Sequence, residues 1–259
     1  MPLAPANPTL PPITVESGTL EPTLPPPPTN TPTPTDTGWE ALETGLERRT
    51  IRILDVEGSE IDRVVLLRIE PTYFRFDVAY APGEPKSLLE WSEATGALIT
   101  INGGFFTAEY QATGLTIVNG TPSGWSYDFG GMVAITNGTP RVRSLSAEPY
   151  QAGEAIDAGL QAFPMLIHPD GSGYTQQSND RARRTVIAQD DAGRILLILT
   201  ARSNFTLPEL SEFLRNSALN LQVALNLDGG TSTGLILTEP RTDVPAFVLM
   251  PAVLTVYRR

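Results

Sequence analysis

The chain has no cysteine, one lysine (Lys86) and one histidine (His168). Without a thiol there is no cysteine nucleophile, disulfide framework, zinc ribbon or iron-sulfur cluster, and Lys86 is the sole amine for a Schiff base or a phosphate loop. His168 stands beside the turn signal Asp170-Gly171, so a serine-histidine-aspartate triad is not expected. Neither a G-x-G-x-x-G nor a G-x-x-x-x-G-K-[ST] string occurs, which removes dinucleotide and P-loop folds. Positive charge is scarce: 29 acidic against 18 basic residues give a net charge of -11 and argue against a nucleic-acid partner. No stretch reaches the ~18 apolar residues of a membrane helix, and the N-terminus shows no basic segment followed by an apolar run and a small-residue cleavage site.

What is present divides the chain in two. Residues 1–38 hold twelve of the 24 prolines and nine threonines, with three acids, no base and no aromatic. Such a segment buries too little apolar surface to offset chain ordering, so a disordered, extended stalk or linker is expected there. Residues 39–259 carry 26 acids against 18 bases and are long enough for a single globular domain. A threonine-proline stalk is a common way to hold a domain away from a surface. The expected location is therefore extracytoplasmic, with any signal or anchor lying outside this sequence. Oligomeric state is not legible.

From Trp39 onward β-branched and aromatic runs alternate with turn residues. Strands are expected at Ile51–Val56, Val64–Ile69, Tyr73–Val78, Ala97–Ile101, Gly114–Val118, Met132–Thr136, Phe163–Ile167, Thr185–Gln189, Arg194–Thr200, Leu221–Leu227 and Ala252–Tyr257. Two helices stand out. One spans Lys86–Ala94; the other runs from about Leu207 to Asn216, with Thr206 as cap and Pro208 in the first turn. So many strands and so few helices exclude a regular βαβ sheet and predict an α+β fold of β-rich mixed sheets.

Asn119-Gly120, Asn137-Gly138 and Asp170-Gly171 fit hairpin or tight turns between apolar segments. Two other glycine pairs end strands differently. Asn102-Gly103-Gly104 is followed by Phe105-Phe106, and Asn226-Leu227-Asp228-Gly229-Gly230 by the hydroxyls of Thr231, Ser232 and Thr233. Glycine lets main chain approach a ligand, and amides with hydroxyls can bind anionic oxygens. The densest positive cluster, Arg181-Ala182-Arg183-Arg184-Thr185, runs into a strand, and guanidinium matches phosphate geometry. Carboxylate, phosphate clamp and glycines together suit sugar-phosphate chemistry.

The order INGGFF, TGLTIVNG, FPMLI, ARRTVIAQDDAGRILLILT, TLPELSEFLRNS and ALNLDGGTSTGLIL resembles the phosphodiester glycosidase family over nearly all of the folded part. The resemblance implies a hydrolase acting on a sugar-1-phosphodiester, of the N-acetylglucosamine-1-phosphodiester kind, in cell-envelope or exopolysaccharide-like extracellular glycans of bacteria. It also implies that Asn102, Gly103, Gly104, Arg184, Thr185, Asn226, Asp228, Gly229 and Ser232 surround one pocket. The chain departs from the family pattern at Thr231, where a third glycine is common, and at Thr107 after the paired phenylalanines.

Cleavage at the anomeric carbon passes through a cation-like transition state, so a carboxylate is needed beside it. Asp228 is the candidate. The leaving phosphate ester is already a good anion, and preorganised positive charge can replace much of a general acid. Arg184, with Arg183 as helper, would hold the phosphate. Asn102 completes the catalytic set, while Thr185, Asn226, Ser232 and the glycine pairs 103–104 and 229–230 would orient substrate. No cofactor or metal is required. One alternative has Asp228, Asp190 and Asp191 bind a divalent cation that assists cleavage at phosphorus. Another is a non-catalytic polysaccharide-binding module that uses Trp91 and Trp125 as stacking platforms. Glu109, Asp128 and Asp180 are candidates for a second carboxylate.

Overall fold

The computed structural model describes residues 34–259. Residues 1–33 of the expected stalk lie outside the described part. The next few residues, which composition placed in the stalk, belong to the domain: β1 (Pro34–Asp36) pairs with β3 (Leu46–Leu54). The anchor is ionic. Asp36 accepts from Arg49 Nε (2.8 Å) and from the Gly38 N–H (2.8 Å). The Arg49 bond is the main reason its carboxyl titrates below the ordinary value. One acid in a proline-threonine background is too faint a signal to move a boundary drawn from composition.

The chain forms three sheets around a shared core. The largest has the order β1, β3, β4 (Glu60–Ile69), β14 (Ile195–Thr200), β13 (Thr185–Asp190), β15 (Leu221–Asn226), β12 (Met165–Ile167), with β2 (Glu40–Glu43) also paired to β3. A five-stranded sheet follows the order β17 (Arg241–Val244), β16 (Leu235–Thr238), β6 (Ile99–Asn102), β18 (Ala252–Arg258), β5 (Phe74–Tyr80). The third has the order β10 (Thr139–Ser144), β9 (Gly131–Thr136), β11 (Ala158–Ala162), β7 (Thr116–Val118), β8 (Thr121–Ser123).

The β-rich α+β architecture is as expected, but the described strand pairings are all antiparallel rather than mixed. Parallel neighbours need crossovers of a dozen residues or more, usually helical, whereas six of these pairings, β2–β3, β3–β4, β7–β8, β9–β10, β13–β14 and β16–β17, join consecutive strands through short turns. Asn119-Gly120 and Asn137-Gly138 are two such turns, joining β7 to β8 and β9 to β10. Both residues of each pair have positive φ, near 50° and 71°, as a primed hairpin turn requires.

Alternation along the central strands decides which face each side chain covers. Val65, Leu67, Ile69, Ile187, Ile195, Leu197 and Leu199 turn toward the core shared with the other two sheets, together with Phe76, Ile99, Leu254, Val133 and Leu160. Their neighbours Val64, Leu66, Val186, Ala188, Leu196 and Ile198 cover the opposite face, beneath α2 (Leu207–Arg215). Burial on both faces explains the unbroken apolar run Ile195-Leu196-Leu197-Ile198-Leu199 in an antiparallel strand. Helix α2 starts at a capping box formed by Thr206 and Glu209, and α1 (Leu88–Thr95) at one formed by Ser87 and Glu90. Each N-cap contributes about 1 kcal/mol. Helix α1 closes the outer face of the second sheet by packing Leu88 and Trp91 on Ile236, Met250 and Val253. Among the described residues no helix is long and apolar enough to cross a membrane.

Candidate active site

Three strand ends from two sheets meet at one corner: the last residue of β6 (Asn102), the first of β13 (Thr185) and the last of β15 (Asn226). Asn102 is 1% exposed and joins them. Its Nδ2 donates to the carbonyls of Asp228 (2.8 Å) and Gly103 (3.4 Å). Its Oδ1 accepts from Thr185 Oγ1 (2.9 Å) and the Gly234 N–H (3.1 Å). Thr233 Oγ1 lies 3.2 Å from the Thr185 hydroxyl. A carboxamide offers two donors and two acceptor sites, so Asn102 is saturated by the protein itself. It clasps the two sheets and fixes the loop that carries Asp228. The same bonds occupy Thr185, so neither side chain is free to orient a substrate as the sequence had suggested.

Asp228 follows immediately. Its N–H donates to Gly103 O (3.3 Å) and its Oδ1 accepts the Gly229 N–H (2.8 Å). Burial raises the carboxyl's pKa above the ordinary value. Hydrogen bonds from the Ser232 side chain and the Gly229 amide pull the other way and do not cancel it. No neighbouring cation adds to them. The 3-10 turn Gly230–Ser232 directs the Ser232 hydroxyl back to the acid. Asn226 donates from Nδ2 to Phe163 O (3.1 Å), and its Oδ1 is buried without a partner.

The glycine pairs serve chain-to-chain contact. A Cβ on Gly103 would stand 2.9 Å from Ala252 O, one on Gly104 3.1 Å from Gln161 O, and one on Gly229 2.8 Å from Arg183 O. Gly230 has φ +61°. Backbone stands close at Gly103, Gly104 and Gly229, while the Cβ position of Gly230 faces open space.

The two arginines part company. Arg184 Nη2 donates to Asp180 O (2.6 Å) and Oδ2 (3.2 Å), and its Nε donates to Phe205 O (3.4 Å). Its stem passes the Gly229 backbone, with Cδ 3.9 Å from where a Cβ would lie. Arg184 is thus at the corner, but its head group braces the segments around Asp180 and Phe205. Arg183, 7% exposed, donates from Nη2 to Pro245 O (2.8 Å) and lies 4.9 Å from the Phe247 ring centroid. Its Nε and Nη1 are buried with no partner. Burial lowers its pKa, partly offset by Asp62. An unsatisfied buried donor costs about 1–3 kcal/mol; Arg183 carries two of them, while its main-chain carbonyl accepts the Gly230 N–H of the loop that holds Asp228.

Asp190 and Asp191 lie away from the corner. Asp190 takes the Ala192 and Arg194 N–H groups and the Arg194 guanidinium at the turn between β13 and β14. That is the far end of β13, which at ~3.3 Å per residue lies roughly 15 Å away. Asp228, Asp190 and Asp191 therefore cannot share a cation, and no cluster of three His, Cys, Asp or Glu side chains suited to a metal occurs among the described residues. Glu109, Asp128 and Asp180 are exposed, the last paired with Arg184. Trp91 is buried and donates from Nε1 to Met250 O (2.8 Å), so it is core rather than a sugar platform. Sequence reasoning named Thr233 only as one of three hydroxyls for an anion, and it missed Gly234 and the Pro245–Phe247 loop. The first two stood inside the quoted DGGTSTG string; the loop carried no motif.

A phosphodiester glycosidase family model matches residues 95–251, more than half of the chain. No curated protein matches. Among solved structures, the zebrafish N-acetylglucosamine-1-phosphodiester alpha-N-acetylglucosaminidase catalytic domain, auto-inhibited by its pro-peptide, superposes with a TM-score of 0.64 at 16% identity, covering 88% of this chain and 89% of that one. A Burkholderia pseudomallei protein provisionally described as exported gives 0.63 at 11% identity over 89% and 98%. A hypothetical protein from Synechocystis gives 0.57 at 18% identity over 83% and 62%. At these identities the structural likenesses establish a shared fold.

Proposed function

The chain belongs to the phosphodiester glycosidase family, and from that premise we propose that it hydrolyses a sugar-1-phosphodiester of the N-acetylglucosamine-1-phosphodiester type, in an extracytoplasmic glycan. The observation that carries this reading is Asp228: a partly buried carboxylate of raised pKa, held on a loop that Asn102 fixes to a second sheet. Such a group serves as nucleophile or charge stabiliser at the anomeric carbon as the C1–O bond to phosphate breaks. The departing phosphate monoester takes the bonding electrons and needs a cation more than a proton.

Arg183 supplies that cation. Its open Nε–H and Nη1–H lie on different edges of the guanidinium, either side of the Nη2 that Pro245 O occupies, so each offers a single charge-assisted bond to an anionic oxygen. Phe247, 67% exposed, covers the guanidinium and has to turn aside for the anion to enter. The unpartnered Asn226 Oδ1 is the acceptor for a sugar hydroxyl, and Ser232 keeps Asp228 oriented. Gly103, Gly104, Gly229 and Gly230 shape the loops, while Asn102, Thr185 and Arg184 hold the frame. The scheme needs no cofactor.

Incubation with a synthetic N-acetylglucosamine-1-phosphodiester should release the free sugar and the phosphomonoester; no release from a panel of hexose-1-phosphodiesters would refute the assignment. Arg183→Lys should raise KM about tenfold or more with a smaller change in kcat, because a single ammonium cannot both keep the bond to Pro245 O and offer two further donors in the guanidinium's positions. Arg184→Lys should instead lower the melting temperature. Steady-state kinetics and thermal melts of the two variants separate the roles.

A further inference from the structure

Among the described residues Trp125 is the most exposed of the large apolar side chains, 81% open. Its backbone is nonetheless held on both sides. Gly124, at φ +80°, packs so closely on Gly114 O that a side chain there would collide. On the other side the Tyr127 N–H donates to Gln161 Oε1 (2.7 Å), and Gln161 Nε2 donates to Ser126 Oγ (3.1 Å). Gln161 itself is buried. An indole that contributes little to the core is therefore presented to solvent on a fixed loop, the arrangement expected of a ligand platform.

The indole forms one wall of a cleft of ≈ 460 Å³ whose other walls include Tyr80, Pro82, Gln111 and Ser123. That volume suits a small-molecule unit. No charged side chain is among those lining it. Tyr80 Oη accepts the Ala112 N–H (3.0 Å) and keeps its own hydrogen to donate. An aromatic face, a carboxamide and two hydroxyls without charge match a neutral pyranose: its C–H face stacks on indole and its hydroxyls exchange hydrogen bonds with the polar walls.

The cleft is tied to the acid through the sheet. Tyr80 stands opposite Ala252 in the β5–β18 register, Ala252 O packs against Gly103, and Gly103 O accepts the Asp228 N–H. Two strand spacings of ~4.8 Å and one backbone hydrogen bond separate Tyr80 from Asp228 along this path, on the order of 15 Å between their backbones, a span for a short oligosaccharide beyond the phosphate. We propose that this cleft is a subsite for a neutral pyranose of the aglycone, with Trp125 as its stacking platform. Its role as an aglycone subsite rests on Asp228 being the reacting carboxylate; saccharide binding itself does not.

The test uses the full chain and ligand-observed NMR titration with chitotetraose, cellotetraose and mannotetraose. At least one should bind saturably to the wild type, at least tenfold more weakly to Trp125→Ala, and with intermediate affinity to Trp125→Phe, while Asp228→Asn binds as the wild type does. Exposure of the Trp125 side chain lets both Trp125 variants fold, and Asp228→Asn is isosteric; thermal melts verify all three. In turnover, Trp125→Ala should raise KM for a diester with a tetrasaccharide aglycone and leave that for a methyl aglycone unchanged. No saturable binding of any tetrasaccharide, or equal affinity in Trp125→Ala, overturns the subsite. Trp125-dependent binding without hydrolysis of any diester keeps the saccharide subsite and overturns the hydrolase reading instead.

Discussion

Asp228→Asn is expected to lose roughly 10²–10⁴-fold in turnover while melting at the same or a higher temperature than the wild type at neutral pH. The loss follows because a carboxamide carries no charge to set against a developing cation and is a poor nucleophile. The stability result follows from the sign of the pKa shift. Burial raises the folded-state pKa of Asp228 above its ordinary value, so the fold favours the protonated form. The corresponding stability is fully present below the unfolded-state pKa and is lost as pH rises through the folded one. At neutral pH the ionised acid is therefore a burden on the fold, and asparagine removes it while keeping an oxygen for the Gly229 N–H. The gain should shrink as pH falls toward the acid range, where both side chains are neutral. Melting curves at neutral and acidic pH, beside initial rates, check both halves. A variant that keeps its activity, or that is much less stable at neutral pH, would remove Asp228 from the proposed role.

The same shift has a kinetic counterpart. If the ionised carboxylate does the work, the acidic limb of the pH–rate profile lies above the ordinary aspartate value and is absent from Asp228→Asn's residual rate. Stability spent at one residue so that it can react is a common trade in enzymes.

Much of the fold was legible because local chemistry agreed with the tertiary answer. The two asparagine-glycine turns, the start of α2 and the Ile195–Thr200 strand needed no long-range information, whereas α1, expected from Lys86, starts at Leu88 because Lys86 bridges to Met250. Strand β11 was missed because Ala158-Gly159-Leu160-Gln161-Ala162 contains no β-branched residue. It is a strand by virtue of its neighbours, β9 and β7. The site was legible in its inventory but not in its bonding. Asn102 was singled out as catalytic, yet its partners Thr185, Asp228 and Gly234 lie 83, 126 and 132 residues along the chain, and only their convergence shows that the amide is consumed by the frame. Arg183 and Arg184 pose the same problem more sharply. Adjacent residues entering a strand point to opposite sides, so sequence identifies a pair of guanidinium groups without saying which is bonded to Asp180 and which is left open.

Asn102 then becomes the residue whose loss should damage the fold most. In Asn102→Ala four hydrogen bonds disappear, and the Thr185 hydroxyl, the Gly234 N–H and the Asp228 carbonyl are left in a water-poor corner. Each stranded group costs about 1–3 kcal/mol, partly relieved where Thr185 turns to Thr233. A total on the order of 3–5 kcal/mol is a large share of the ~5–15 kcal/mol that holds a typical domain together. At about 2–4 °C per kcal/mol for a domain of this size, the melting temperature should fall by roughly 10 °C or more. Activity should fall as well, even in the cold where the variant is folded, because the Asp228 loop is no longer tied to β6. That double loss separates a clasp from a group that merely touches substrate. A residue acting only on substrate would leave the melt unchanged; one acting only on stability would leave kcat intact at low temperature. Thermal melts and initial rates in the cold on the same preparation decide between them.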